Sequence, residues 1–221
     1  MKPGDFLLGV QDFFAVLLPG TIATWLVSHY LPPDLAATLK PGDGPEGAHA
    51  TRWAVFLVAS YLLGHFVFML GAKLDGLYDQ WRKQNKPLDR DRPYEQAKEL
   101  RQRVTKDLAG ETFSTLKWAR AYIQIRCPAA RVEIDLLEAT SKLFRGMVVI
   151  SIALALHFLI VERAFWLAAA LVLLAVLSFR RFCDLRWKLT ELSYATAVIL
   201  DAVGNLPGAS KVEEGNEGGE E

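Results

Sequence analysis

Four long blocks of apolar residues constrain this chain more than any other feature of its sequence. They cover residues 13–31, 53–74, 143–161 and 164–182. About 20 helical residues cross the roughly 30 Å hydrocarbon core of a bilayer, so each block is long enough to span it. A soluble fold would have to bury four helices that are apolar on all sides in one small core. The sequence therefore predicts an all-α integral membrane protein with four transmembrane helices.

The four blocks predict two transmembrane hairpins. The first covers residues 1–74 with an outer loop at 32–52, and the second covers residues 143–182, where only Glu162 and Arg163 separate its spans. The first block is longer than the apolar part of a signal peptide, and no small-residue cleavage site follows it. We therefore expect it to be retained as a span.

Basic residues predict the orientation, because cytoplasmic loops carry an excess of Lys and Arg. The segment between spans two and three is rich in both, and Arg180, Arg181, Arg186 and Lys188 follow span four. The two outer loops together hold only three basic residues. This pattern predicts a multi-pass inner-membrane protein with both termini in the cytoplasm. The 25 basic and 25 acidic residues cancel, so net charge does not favour a nucleic-acid partner.

The segments outside the spans differ in what they can fold into. Sparse apolar stripes predict helices at 93–108 and 112–126, and a third helix from about residue 129 into span three. Residues 75–142 and the C-terminal helix 183–203 should form a cytoplasmic helical bundle. The Pro- and Gly-rich loop 32–52 is predicted to be irregular. The acidic, Gly-rich tail 204–221 is predicted to be disordered.

Reaction motifs are incomplete throughout the chain. The sequence lacks GxSxG, HExxH, GxxxxGK[ST] and GxGxxG, so we expect no enzyme and no cofactor. Lys86 to Arg92-Pro93 is one residue short of the KxxxxxxRP motif of lipid phosphatases, and Asp75-Gly76 lacks the rest of the head-group transferase motif. The four histidines are scattered, which argues against a metal site. Cys127 and Cys183 should be packed thiols.

Three polar residues within or beside the spans are candidates for function, because burying them in hydrocarbon is costly. They are Asp12 at the inner mouth of span one, His65 past the middle of span two and His157 in the outer half of span three. They could line a path for ions or protons in an assembled bundle. In the alternative interpretation, the histidines make interhelical hydrogen bonds and Asp12 faces the lipid headgroups.

Small residues and one proline predict close helix packing. Ser60, Gly64 and Gly71 lie in register on span two and would let helix backbones approach closely. Pro19 removes a backbone donor from span one and predicts a kink there. These residues could pack within one chain or between copies of it.

The arginines that follow span four are candidates for anion contacts. Arg180, Arg181 and Arg186 could meet lipid headgroups. A site for a small anionic ligand such as a nucleotide could instead be formed by Trp118, Arg120, Tyr122, Arg126, Arg181, Arg186 and Trp187.

Three phrases of the chain resemble a known group of proteins. They are LLPG in span one, EIDLLEATSKLFRG before span three and RRFCDLRWKLTELSYATAVI after span four. Their layout is similar to that of small uncharacterised four-span membrane proteins of bacteria, some of which are associated with anti-phage defence systems. The resemblance implies a sensor or an effector that permeabilises the inner membrane.

We therefore expect a non-enzymatic inner-membrane protein that forms homo-oligomers and couples a cytoplasmic signal or partner to the membrane, with pore formation as one outcome. Its predicted partners are the lipid bilayer, a second copy of the chain, and a cytoplasmic protein or small anionic ligand. Two alternatives remain open. One is a membrane scaffold that recruits a soluble partner without transport, and the other is a lipid-modifying membrane enzyme.

Overall fold

The computed structural model describes residues 3–39, 49–85, 92–105 and 114–204, and at residues 3–12 and 14 it describes the backbone alone. These residues form eight α-helices and no strand, which confirms the all-helical prediction for this part of the chain. The helices are α1 (Pro3–Ser28), α2 (Pro33–Leu39), α3 (His49–Gly71), α4 (Leu74–Asn85), α5 (Arg92–Val104), α6 (Thr115–Arg126), α7 (Pro128–Ile160) and α8 (Phe165–Gly204).

Three of the helices, α3, α7 and α8, are long and apolar enough to cross a membrane. They indicate a membrane location for the protein. In α1, the apolar stretch with described side chains is Ala15–Ser28, which is shorter than a span. The predicted first crossing also uses residues whose side chains lie outside the described part.

The predicted irregular loop at residues 32–52 contains a short helix, α2, that we did not predict. Pro33 is its first residue and Asp34 lies in its first turn. Proline lacks only an N–H that the first turn leaves unpaired, and an acidic side chain favours a helix N-terminus. Composition suggested a loop, whereas these two positions favour a helix start.

Local chemistry explains two sharp helix boundaries. Cys127 ends α6, where its N–H donates to the carbonyl of Ile123 at 2.8 Å, and Pro128 then opens α7. Between α7 and α8, Arg163 has a φ of +52° and the Ala164 N–H donates to the Phe158 carbonyl at 2.9 Å. This bond closes the helix end with a left-handed residue, a position where glycine is common.

The chain divides into two compact units. The first comprises Met1–Asn85 and Leu136–Arg186, and the second comprises Lys86–Asp135 and Trp187–Glu221. In the first unit, Ala23, Val67 and Ile150 form a buried apolar cluster. In the second unit, α5 and α6 pack together and bury the side chains of Ala97, Leu100, Ala119 and Ile123.

Candidate functional sites

Close backbone contact between α1 and α3 defines the centre of the first unit. A Cβ atom added to Gly20 would collide with the backbone oxygen of Ser60 and lie 2.9 Å from the Cα of Gly64. One added to Gly64 would collide with the carbonyl oxygen of Val16. Only glycine fits at either position, because the obstacles are backbone atoms. The small residues predicted on span two at positions 60 and 64 therefore lie inside this chain, against α1.

A buried hydroxyl pair lies in the same contact between α1 and α3. The Thr24 hydroxyl donates to the Gly20 carbonyl at 2.9 Å, and the Ser60 hydroxyl donates to the Thr24 oxygen at 3.1 Å. Both side chains are fully buried. A hydrogen bond between hydroxyls satisfies polar groups that hydrocarbon would leave unpaired.

The other small residues of the first unit pack against α7 or are buried. Pro19 is fully buried, and its Cγ would lie 2.9 Å from a Cβ added to Gly146. Gly71 faces the stem of Arg145, whose Cγ would lie 3.1 Å from an added Cβ. α1 continues as a helix through Pro19, and Gly146 on α7 leaves room for the proline ring.

Arg145 and Asp75 form an ion pair that our sequence reasoning missed. The Arg145 side chain is 9% exposed, and its Nη1 lies 3.2 Å from an Asp75 carboxylate oxygen. The guanidinium carbon also lies 4.3 Å from the centre of the Phe68 ring. The Nε of Arg145 is buried without a hydrogen-bond partner. A buried cation with one carboxylate and one ring is held by few interactions, so it depends strongly on each of them.

A cluster of aromatic and imidazole side chains joins the C-terminal ends of α1 and α7. The Tyr30 hydroxyl lies 2.6 Å from His157 Nδ1, and the His157 ring is 5.8 Å from that of His29. His157 is 6% exposed. The structure thus places this predicted polar residue in a hydrogen bond between α7 and the turn that follows α1, rather than on an open surface.

His65 has a different environment from His157. It lies on the exposed face of α3, and its ring packs edge-on against Tyr61 at 4.6 Å. The Tyr61 ring in turn stacks on that of Phe13 at 5.9 Å. His65 therefore lies within a candidate span, and the described residues of its own chain leave its imidazole exposed.

The remaining predicted site residues are the three arginines after span four and Asp12. Arg180 and Arg181 are exposed, and Arg186 is half-buried. Asp12 lies in α1, but its side chain is outside the described part. No group of three or more His, Cys, Asp or Glu that could hold a metal ion occurs among the described residues.

A buried aromatic cluster surrounds Tyr78 on α4. Phe182 and Cys183 are buried with it, and Trp81, Phe144 and Phe179 pack around them. Burial raises the pKa of the Tyr78 hydroxyl to about 12, although the positive charges of Arg82 and Arg186 oppose this rise. The phenol is therefore a neutral packing group across the physiological pH range.

The second unit contains an open cleft of about 410 Å³. It is lined by residues of α5, the start of α6 and one residue of α8, namely Tyr94, Lys98, Arg101, Ser114, Thr115, Leu116 and Tyr194. The Tyr94 and Tyr194 rings lie 5.4 Å apart. Our sequence reasoning noted the interleaving of aromatic and basic residues but placed it on other positions, because each of these residues alone is an ordinary surface residue.

Comparisons with known proteins add no family to this description. No family model matches the chain, and neither a curated protein nor a solved structure is similar to it.

Proposed function

We propose that this is a non-enzymatic inner-membrane protein that crosses the bilayer four times, forms homo-oligomers through α3 and couples a cytoplasmic signal to its spans. In the setting implied by the resemblance to bacterial membrane proteins near anti-phage genes, the response would be permeabilisation of the membrane.

The exposure of His65 carries the proposal. Other polar residues of the candidate spans, Ser60, Ser151, His157 and Ser178, are buried within the chain. Polar side chains in membrane helices almost always face a protein interior or a water-filled cavity. A second copy packed on this face of α3 would cover His65 and Tyr61, or would enclose them around a polar path.

The fourth crossing rests on α1. Its 26 residues give a helix of about 39 Å at about 1.5 Å per residue, which exceeds the hydrocarbon thickness of about 30 Å. With α1 as a span, the loops rich in Lys and Arg lie on one side of the membrane. By the positive-inside rule, that side is the cytoplasm.

The proposed coupling of a cytoplasmic signal to the membrane spans rests on the lengths of α7 and α8. They contain 33 and 40 residues, whereas about 20 suffice for a span. Each helix therefore continues well past the bilayer on its basic side. A ligand that shifts the cytoplasmic part of such a helix would also shift its span, because an α-helix transmits rotation and translation along its axis.

Disulfide trapping in membranes tests self-association through α3. Leu62 is 56% exposed and lies three residues before His65, so it shares the same face. We expect Leu62→Cys, in a chain with Cys127→Ser and Cys183→Ala, to give a covalent dimer on mild oxidation. Leu173→Cys on α8 is the matched control, because Leu173 is 59% exposed and should face lipid.

The outcomes of this experiment separate the alternatives. Equal trapping at both positions would indicate random collision, and no trapping at position 62 would refute an interface on α3. Dye release from vesicles containing the purified protein then tests permeabilisation. Trapped dimers that release no dye in the presence of any cytoplasmic ligand would support the scaffold alternative instead.

A further inference from the structure

The cleft in the second unit combines three features of a small-molecule site. Its volume of about 410 Å³ falls within the range of about 300–1,000 Å³ typical of ligand pockets. It has two cationic side chains and two aromatic rings. All of its lining residues belong to the same compact unit, so the site does not depend on how the two units are arranged.

The charge of the lining is positive. Lys98 and Arg101 lie three residues apart on α5, which places them on one face of the helix. Among the described residues that line the cleft there is no carboxylate. The first turn of α6 also contains no acidic residue, so its N–H groups add positive potential that no side chain in that turn neutralises. The positive charge of this lining therefore favours an anionic ligand over a neutral or cationic one.

The chemistry of the two cationic side chains narrows the class of anion that the cleft can bind. Arg presents several N–H donors in a planar fork, and Lys supplies a compact charge on a flexible stem, so together they suit a phosphate group. The hydroxyls of Ser114 and Thr115 lie on the same lining. A hydroxyl is a normal additional donor to phosphate oxygens.

The two tyrosines indicate that the ligand also has a flat ring. Tyr94 and Tyr194 meet at an interplanar angle of 61°, so they form a corner of two ring surfaces instead of a closed stack. Both side chains are only partly buried. A planar group can therefore stack on one ring and contact the edge of the other.

We propose that this cleft binds a nucleoside phosphate, with the phosphate on Lys98 and Arg101 and the base on the tyrosine pair. The binding itself rests on the second unit alone. Its role as the cytoplasmic signal rests on the function proposed above. The two ideas can therefore fail separately.

Calorimetric titration of the full-length protein in detergent with AMP, ATP and GTP tests the binding. Lys98→Gln and Arg101→Gln should each raise the Kd about tenfold, and the double variant should raise it about a hundredfold, because each substitution removes a charge-assisted hydrogen bond. Arg103→Gln is the matched control. Arg103 is exposed on the same helix and does not line the cleft, so the Kd should change less than about twofold by surface screening.

The contribution of the ligand's ring to the binding affinity can be measured separately. Adenosine and ribose 5-phosphate each contain half of the ligand and should bind more weakly than AMP. Tyr194→Leu should reduce the preference for AMP over ribose 5-phosphate while leaving the affinity for ribose 5-phosphate unchanged. A variant that merely unfolds the unit would lose both ligands, and its thermal unfolding would reveal it.

Three results would overturn the inference. The first is no binding of any of the three nucleotides, and the second is the same Kd for Lys98→Gln, Arg101→Gln and Arg103→Gln. The third is binding to vesicles that contain phosphatidic acid without binding to nucleotides, which would assign the cations to lipid headgroups. Disulfide trapping at position 62 would be unaffected by any of them, so self-association would stand.

Discussion

Replacing Gly64 with alanine should separate α1 from α3 and destabilise the first unit. The new Cβ would collide with the Val16 carbonyl oxygen and lie 2.8 Å from Val16 Cγ1. The Val16 carbonyl carbon would lie 3.0 Å from the new Cβ, and ordinary van der Waals contact begins at 3.4 Å, so the helices must move apart by at least 0.4 Å (3.4 minus 3.0) and further to clear the closer carbonyl oxygen. A side-chain rotation cannot relieve the collision, because the carbonyl is part of the backbone.

Three terms determine the size of the effect. Overpacking costs about 1–3 kcal/mol, and the backbone obstacle places this case near 3. The same movement stretches the 3.1 Å bond between Ser60 and Thr24 beyond hydrogen-bond length, which costs about 0.6 kcal/mol in a membrane protein. Alanine offsets about 1 kcal/mol of this destabilisation, because its helix propensity is higher than that of glycine. The net loss is about 2–3 kcal/mol.

Thermal unfolding followed by tryptophan fluorescence in detergent measures this loss. For a chain of this size, about 1 kcal/mol corresponds to about 2–4 °C in Tm, so Gly64→Ala should lower Tm by about 5–10 °C. Gly76 in α4 is the matched control, because a Cβ added there meets nothing within 4 Å. Gly76→Ala should raise Tm slightly, since only the propensity gain of about 0.5–1 kcal/mol remains. Equal Tm values for the two variants would refute the close contact of α1 and α3.

Two further predictions concern charged and titratable groups of the first unit. Asp75→Asn should destabilise the protein by about 1–3 kcal/mol, because it leaves the buried Arg145 cation without its carboxylate. This is less than the full cost of breaking a buried pair, since Asp75 is 42% exposed and water replaces part of the interaction. Asp79→Asn on the same helix is the control and should destabilise the protein less. Chemical denaturation checks this, and equal losses would contradict it. The pKa of Tyr78 is raised from 10.0 to about 12, so the folded state holds this proton more tightly than the unfolded state. Its contribution to stability is complete below about pH 10 and is lost as the pH rises towards 12. Tyr78→Phe should flatten the Tm profile across this window, and an unchanged slope would show that Tyr78 does not cause it.

Much of the fold follows from patterns that are local in the sequence. The blocks at 53–74, 143–161 and 164–182 correspond to apolar parts of α3, α7 and α8, because hydrocarbon requires long uninterrupted apolar helices. The pair of Glu138 and Lys142, four residues apart, forms a contact at 3.4 Å, as helix geometry requires. Helix α2 was missed because the prolines at positions 32 and 33 suggested a loop.

The candidate sites could not be predicted in the same way. Asp75 and Arg145 are 70 residues apart in the chain, and nothing in their local sequence pairs them. Likewise, α5 and α6 supply the cations and hydroxyls of the cleft, and Tyr194 arrives from α8. Such sites depend on which helix faces meet, and periodicity alone does not specify the partner of a face.

The sequence by itself determined that this chain is helical and that several helices are too apolar for water, because both properties depend on neighbouring residues and on the solvent. The tertiary structure decided how two similar residues differ. His65 and His157 both lie in apolar segments, yet His157 meets Tyr30 from the turn that follows α1, whereas His65 lies on an exposed face of α3. The physical reason is that burial depends on the rotation of each helix against its neighbours. The small residues Gly20 and Gly64 favour the observed rotation of α1 and α3, since their faces allow the two backbones to touch.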